Sequence, residues 1–421
     1  MKVEYLQQFT YRDLPDDFST RFVESVVTNP YAELVDPERM RAAFRDGLDE
    51  LMHAARAGFD AVAVTEHGAA NYDMSPNPDL TAAAVAYATE AEGIDVAIHV
   101  IGRTLGKTRE PLRVAEEYAV LDNISGGRLQ AGFPVGLAYD ANYNYGVAPV
   151  ETRARYAENL ELILRAWTAR EPFPWNGRYS QYPGVNIWPR PYQTPHPPIS
   201  VTSIGTPTTA DFALERDLGF NLVAFSGDPV ATAKPAYDYF WNKAAELGLD
   251  DNPYRATYAQ FVVVADTDAE AERLYARHVE YSFANGIGHI PLYRLAMPGG
   301  IPPAGLKHLM TSGAALGPTG PPTYRGLVES GAVVAGSPET VRERLAHLAR
   351  LFRVGNLSVF LQLGSTPRDL TLASIDRFAS GVLPHLRPIF AEYDDENRWW
   401  PVRLGGKPPS PRQAGTLEGA N

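Results

Sequence analysis

The sequence predicts an α/β protein, a single (β/α)8 TIM barrel with loop insertions. Short apolar runs bounded by glycine or proline alternate with amphipathic stretches along most of the 421 residues. Such runs are typical of parallel strands that are buried on both faces. Because no linker interrupts this alternation before residue 400, we expect one domain over 1–400, with a variable insertion at 284–332 and a mobile tail at 401–421.

The predicted strands are short apolar segments, and several of them end in polar residues. The first one mixes aliphatic, aromatic and charged residues with partial alternation, and the second is an uninterrupted apolar run after Gly58. The predicted strands cover 1–9, 60–67, 94–102, 128–133, 199–202, 222–225, 258–264 and 357–363.

The predicted helices place apolar residues on one face, and several have proline at the first helical position. Helix 37–57 is an example, with Asp36 as its N-cap, Pro37 in its first turn and Gly58 after its end. The others cover 79–92, 111–123, 151–168, 210–218, 229–247, 269–283, a helix that begins at 336–339, and 370–382. Residues 11–36 and 134–149 are predicted loops, and 172–198 is a proline-rich excursion with a short hairpin.

The composition narrows the function classes. A net charge of −12 without clustered lysine or arginine argues against a nucleic-acid partner or an anionic membrane partner. The absence of cysteine excludes a thiolate metal site and a cysteine nucleophile, and we expect no metal. Neither a signal peptide nor a run of eighteen apolar residues is present, so the expected compartment is the cytoplasm.

Glu66 and His67 form a titratable pair at the end of the second predicted strand. TIM barrels place their chemistry at the C-terminal ends of the strands. Imidazole has an ordinary pKa near neutrality, which suits general acid–base catalysis. His67 is therefore the first catalytic candidate, and a histidine that merely satisfies its hydrogen bonds at a strand end is the alternative.

Several motifs follow this pair in a fixed order. They are Tyr-Asp-Met-Ser-Pro-Asn-Pro at 72–78, Pro-Leu-Arg-Val-Ala-Glu-Glu at 111–117, Leu-Asp-Asn-Ile-Ser-Gly-Gly-Arg at 121–128, Pro-Arg-Pro at 189–191 and Gly-Ser-Pro-Glu at 336–339. With these motifs, residues 1–390 resemble the luciferase-like flavin monooxygenases, the superfamily of bacterial luciferase and the alkanesulfonate monooxygenases.

The resemblance implies a two-component enzyme. Members bind reduced flavin, usually FMN from a separate reductase, and react it with molecular oxygen to form a flavin peroxide that oxygenates a small organic substrate. Some relatives instead use a deazaflavin coenzyme for hydride transfer, and a non-catalytic flavin-binding barrel is a third alternative. Segment 72–78 resembles the FMN branch more closely. A homodimer or higher homo-oligomer is expected from the family.

The resemblance also assigns roles near the flavin ring. His67 would lie at the reactive edge and handle protons, while Glu66 would orient the imidazole or the backbone. Gly102, Arg103 and Thr104 end the third strand, where relatives have a strained, often cis, peptide beneath the ring. We expect Arg103 to contact a flavin carbonyl or a substrate anion, with a solvent-facing loop arginine as the alternative.

Other candidates lie near the flavin phosphate. Val135 stands where many relatives have a phosphate-binding arginine, so either another donor substitutes or the phosphate is held differently. Asn142 and Tyr143 are candidate hydrogen-bond donors to the cofactor, with ordinary loop packing as the alternative. The small and hydroxyl residues before the helix at 210–218 could bind phosphate or simply cap that helix; they are Ser203, Gly205 and Thr206, with Thr208 behind them. The insertion at 284–332 is the expected cover over the site.

Overall fold

The computed structural model describes residues 1–223, 228–300, 307, 322–410 and 412–413. Its strands are β1 (Lys2–Gln7), β2 (Ala61–Val64), β3 (Ala97–Val100), β4 (Leu129–Gly132), β5 (Phe173–Asn176), β6 (Gln181–Val185), β7 (Ile199–Ser203), β8 (Gly219–Val223), β9 (Ala256–Val264), β10 (Val333–Gly336) and β11 (Asn356–Phe360). Among these described strands, eight close a parallel barrel in the order β1, β2, β3, β4, β7, β8, β9, β11. The predicted TIM barrel is confirmed.

The helices of the described chain surround this barrel. They are α1 (Phe18–Arg21), α2 (Tyr31–Leu34), α3 (Pro37–Arg56), α4 (Pro78–Ala91), α5 (Pro111–Ile124), α6 (Pro149–Thr168), α7 (Pro207–Glu215), α8 (Pro229–Thr232), α9 (Lys234–Glu246), α10 (Asp268–Tyr281), α11 (Leu292–Leu295), α12 (Tyr324–Glu329), α13 (Pro338–Phe352), α14 (Arg368–Gly381) and α15 (Leu383–Leu386). None of the helices in the described ranges combines the length and the apolar content needed to cross a bilayer.

The main apolar core lies between the barrel wall and the helices. Helix α6 shows how the sequence produces it, because Tyr156, Leu160, Ile163 and Trp167 follow the helical period and are all buried. Full burial of one such aliphatic side chain contributes about 1.5–3 kcal/mol. Helix α3 begins as predicted, with the Asp36 carboxylate accepting from two backbone N–H groups of the first turn.

Strand β10 does not appear among the predicted strands. It pairs in parallel with the second half of β9, from Val333 opposite Phe261 to Gly336 opposite Val264. A four-residue apolar run between two glycines is too short to show a period. The proline-rich excursion does contain the predicted hairpin, formed by β5 and β6.

Short elements occur where loops were predicted. Helices α1 and α2 lie within 11–36, and α11 and α12 lie within 284–332. The predicted helix 229–247 is two helices, because Ala233 separates α8 from α9. Residues 224–225 of the predicted strand 222–225, and 301–306 and 308–321 of the predicted cover, lie outside the described residues.

The described part of the predicted mobile tail packs on the barrel. Arg403 forms ion pairs of 3.1 Å with Glu90 and 3.2 Å with Asp95. Gln413 is buried, and its carbonyl oxygen lies 3.0 Å from Nε2 of His196. These contacts correct the expectation of a tail without fixed partners, while 414–421 lie outside the described residues.

Candidate active site

A cavity of about 130 Å³ lies at the C-terminal ends of the barrel strands. Five of the residues predicted for the site line it, namely His67, Gly102, Thr104, Ser203 and Thr206. Most of the remaining lining is apolar and includes Leu6, Ile101, Leu137 and Phe360. The strand ends meet here because all eight barrel strands run parallel.

A buried carboxylate holds His67 in place. The imidazole Nδ1 lies 2.9 Å from Oδ2 of Asp140 and 2.7 Å from the Tyr139 hydroxyl, while the other Asp140 oxygen accepts from the Gly68 N–H at 3.0 Å. Among the described residues no protein group bonds to Nε2 of His67, so we assign the proton to Nδ1 and leave Nε2 for the cavity.

The Asp140 carboxylate also affects the charge of His67. Burial has the largest single effect and disfavours the charged imidazolium, but the charge and the hydrogen bond of Asp140, together with the charge of Asp73, favour it, and the pKa of His67 is raised. The raised pKa favours the doubly protonated imidazolium, the form in which Nε2 can donate a proton toward the cavity.

Two tyrosines extend the network into the protein. The Tyr139 hydroxyl is hydrogen-bonded to the Tyr72 hydroxyl, and burial raises the pKa of both phenols well above the ordinary value. Next to Tyr72, the Asp73 carboxylate accepts from the Phe9 N–H at 3.1 Å. Burial raises the pKa of Asp73 to about 6. Segment 72–78 is thus connected to the imidazole by hydrogen bonds.

Glu66 orients the backbone rather than the imidazole. Its Oε2 accepts from the Thr104 N–H at 2.6 Å, and Oε1 lies 3.2 Å from Nζ of Lys107. Gly102 lies against the backbone of Glu66, since a Cβ atom at position 102 would be 2.8 Å from the Glu66 backbone nitrogen. Only glycine fits such an approach.

Arg103 does not line the cavity. Its guanidinium lies 3.3 Å from Glu66, 3.6 Å from Asp79 and 3.1 Å from Glu117. A cation committed to three carboxylates has no free edge for a flavin carbonyl, so the structure does not support the predicted contact. Nor is the peptide at Gly102 cis, because the two cis bonds of the described chain precede Pro189 and Pro195.

Hydroxyl groups gather at the start of α7. Ser203 Oγ accepts from the N–H groups of Gly205 at 3.0 Å and Thr206 at 3.3 Å. The hydroxyls of Thr206 and Thr209 are 2.8 Å apart, and no side chain caps the helix. Gly205 adopts φ +91° and shapes the turn without lining the cavity. This end of the cavity offers the hydrogen-bond donors that a phosphate needs.

Asn142 and Tyr143 do not reach the cavity. Asn142 Nδ2 donates to the Val147 carbonyl at 2.8 Å and to Thr152 Oγ1 at 3.0 Å, and the Tyr143 ring lies 4.0 Å from the guanidinium carbon of Arg294. The loop after β4 forms a π-helical turn, Tyr139–Tyr143, that directs Asp140 toward His67 instead. Asp140 is the one carboxylate of 134–149, a signal that could have identified it.

A further cavity residue comes from a helix. Arg153 of α6 lines the cavity together with Val135, the position where relatives have arginine. The sequence contains no motif that marks Arg153, because its place depends on how α6 packs against the barrel.

Comparisons with known proteins agree with this geometry. The model of the luciferase-like monooxygenase family matches residues 23–353. The oxygenase component of the flavin-dependent trigonelline monooxygenase of Acinetobacter baylyi is 27% identical over 247 residues, which span 58% of this chain and 65% of that protein.

Solved structures share the fold. The oxygenating constituent of 3,6-diketocamphane monooxygenase from Pseudomonas putida, in complex with FMN, superposes with a TM-score of 0.68 at 22% identity and covers 91% of this chain and 98% of its own. An F420-dependent secondary alcohol dehydrogenase superposes with a TM-score of 0.61 at 16% identity, over 92% of this chain and 99% of its own. Because the family model covers most of the sequence, the chain belongs to the luciferase-like monooxygenase family.

Proposed function

We propose that this protein is a monooxygenase that uses reduced FMN from a separate reductase, together with molecular oxygen, to oxygenate a small organic substrate. The observation that carries the proposal is the position of His67, which is held by Asp140 at one side of an apolar cavity. The hydroxyl cluster at the start of α7 lines the same cavity.

The donor set fits FMN. The hydroxyls of Ser203, Thr206 and Thr209 suit a phosphate, and the apolar strand ends suit a flat aromatic ring. The cavity of about 130 Å³ is below the roughly 300–1,000 Å³ typical of small-molecule sites. Leu295 and Gly300 of the described segment 287–300, which we call the cover segment, line it, and we infer that this segment moves outward when a cofactor enters.

When bound, reduced FMN supplies the electrons that activate dioxygen. His67 would donate a proton to the developing oxygen anion through Nε2 and take one back in the later half of the cycle. Asp140 would keep the ring in one orientation while Nε2 changes its protonation. The cover segment would exclude water, whose entry would allow the activated oxygen to be lost as hydrogen peroxide.

The substrate proposed is apolar or aromatic. Leu6, Ile101, Leu137 and Phe360 give the cavity an apolar wall, and the two monooxygenase relatives act, by their names, on trigonelline and on a diketocamphane. Small heteroaromatic compounds and alicyclic ketones are therefore the first compounds to assay. A deazaflavin-dependent oxidoreductase is the second candidate, because an F420-dependent dehydrogenase shares the fold.

The proposed experiment follows oxygen uptake and hydrogen peroxide release by the protein with FMN, NADH and a flavin reductase. With a true substrate, the wild type should release less peroxide than the oxygen it consumes. His67→Ala should lower product formation about 100-fold, the usual contribution of a general acid–base group, while oxygen uptake continues as peroxide. No product from any substrate class, or full product yield from His67→Ala, would argue against the proposal.

A homodimer stays a prediction. Leu80 and Tyr87 of α4 are each 72% exposed, and Val120 and Ile124 of the adjacent α5 are also exposed. These four apolar side chains could form the interface. Sedimentation of the protein as a monomer at micromolar concentration would contradict it.

A further inference from the structure

We propose that Arg153 binds the phosphate of the cofactor in place of the arginine that Val135 replaces. This inference rests on the proposed function, since it assumes a flavin with a terminal phosphate. It concerns the phosphate end of the site, where Val135 stands in place of the arginine of many relatives.

The hydroxyl cluster alone is a poor partner for a phosphate dianion. Ser203, Thr206 and Thr209 are neutral donors, and a dianion in a mostly apolar cavity needs a cation. The other basic side chains close by have anionic partners already. Arg103 pairs with three carboxylates, and Lys107 pairs with Glu66.

Arg153 differs from these residues. Among the described residues its guanidinium has no carboxylate within ion-pair distance, and its hydrogen bond is the one from Nε to the Gly300 carbonyl at 3.3 Å. Both Nη groups are left without a protein partner in the described chain. Burial lowers the pKa of Arg153, as expected for a cation that lacks a counter-ion. A phosphate would supply that counter-ion through the planar guanidinium edge.

Helix packing brings Arg153 to the phosphate end of the cavity. Tyr156, three residues later on α6, packs against Phe212 of α7 with the ring centroids 5.2 Å apart. This ring contact joins the two helices. As a result, Arg153, Thr206 and Thr209 line one cavity although they come from different helices.

The Gly300 contact adds a consequence. Gly300 belongs to the cover segment, and its carbonyl is the acceptor that Arg153 now uses. Outward movement of the cover segment would break this Nε contact and leave the phosphate as the partner of the guanidinium, so cofactor binding and movement of the cover segment would be coupled.

The experiment measures dissociation constants for FMN and for riboflavin, which lacks the phosphate, by equilibrium dialysis. The variants are Arg153→Gln and Arg153→Lys, and the matched control is Arg155→Gln. Arg155 lies on the same helix, pairs with Glu151 at 3.1 Å and stacks on Tyr179 outside the cavity. Riboflavin binding reports that each variant has kept its fold.

We expect the wild type to prefer FMN over riboflavin. Arg153→Gln should weaken FMN binding about 10- to 100-fold, the range for losing charge-assisted hydrogen bonds, and leave riboflavin binding unchanged. Arg153→Lys should keep part of the preference, and Arg155→Gln all of it. If the wild type binds both flavins equally, or if Arg153→Gln keeps the preference, the assignment of Arg153 is overturned while the proposed function stands. If the wild type binds neither flavin, both are overturned.

Discussion

Asp140 is the carboxylate that bonds directly to His67 and favours its charged form. Asp140 is 1% exposed and accepts from both the imidazole and the Gly68 backbone. A carboxylate that is fixed at both oxygens cannot rotate away from the ring. Asp140 acts through the His67 imidazole and does not have to contact the substrate. It is therefore a positioning residue.

Asp140→Asn should lower the pKa of His67, because the amide keeps the size of the side chain but loses the negative charge. The fall of the pKa is measured by NMR titration of ring-labelled histidine. Asp376→Asn is the matched control, since Asp376 lies 2.6 Å from the half-exposed His53. An unchanged pKa of His67 in Asp140→Asn would show that another group sets its charge.

The raised pKa of His67 also makes the stability of the fold depend on pH. The folded pKa of His67 is raised, so the pair stabilises the fold fully below the unfolded value of about 6.5. This contribution is lost as pH rises through the folded pKa. Asp140→Asn should therefore lower the melting temperature more at pH 6 than at pH 9.

At the scale of elements, a buried ion pair fixes the cover segment to the stretch at residues 11–36. Nε and Nη2 of Arg294 donate to the two Glu24 oxygens at 2.6 and 2.8 Å, and the Thr28 hydroxyl donates to the same carboxylate at 2.7 Å. Nearby, the Ser25 N–H donates to the His289 carbonyl at 3.0 Å. Leu295, next to Arg294, lines the cavity. We infer that this ion pair holds the cover segment, and with it Leu295, against the cavity.

The double variant Glu24→Gln/Arg294→Met should open the cavity more easily. Removing both charges avoids an unpaired buried charge, which would destabilise the fold. We expect FMN association and dissociation to become about tenfold faster, a change of roughly 1.4 kcal/mol in each barrier, in stopped-flow fluorescence. Glu272→Gln/Arg325→Met removes an exposed pair far from the cavity as the control. Wild-type rates in the first variant would mean that other contacts hold the cover segment.

Across the whole molecule, the sequence predicted what local patterns determine. Buried strands and amphipathic helices have a period, and strand ends meet at one face of a barrel. For this reason His67, Gly102, Thr104, Ser203 and Thr206 line one cavity, while their catalytic and cofactor-binding roles stay predictions. Strand β10 and the four-residue helices were not predicted, because a segment of four residues is too short to show a period.

The other site residues depend on tertiary packing. Arg103 follows the end of a strand, where a cofactor-binding residue is expected. Its three carboxylate partners, however, come from separate parts of the chain. Asp140 reaches His67 through a π-helical turn, and Arg153 reaches the cavity through the packing of α6 on α7. The Arg103 network and the position of Arg153 have no local sequence signature, whereas Asp140 is marked as the one carboxylate of 134–149.

The choice between FMN and a deazaflavin coenzyme concerns the whole site, since ring, phosphate and cover segment all contribute. Anaerobic titration of the purified protein with each reduced cofactor decides it most directly. We expect reduced FMN to bind at least about tenfold more tightly than the reduced deazaflavin coenzyme, and the FMN complex to consume oxygen when air is admitted. Tight binding of the deazaflavin coenzyme without measurable affinity for FMN would contradict the proposed function.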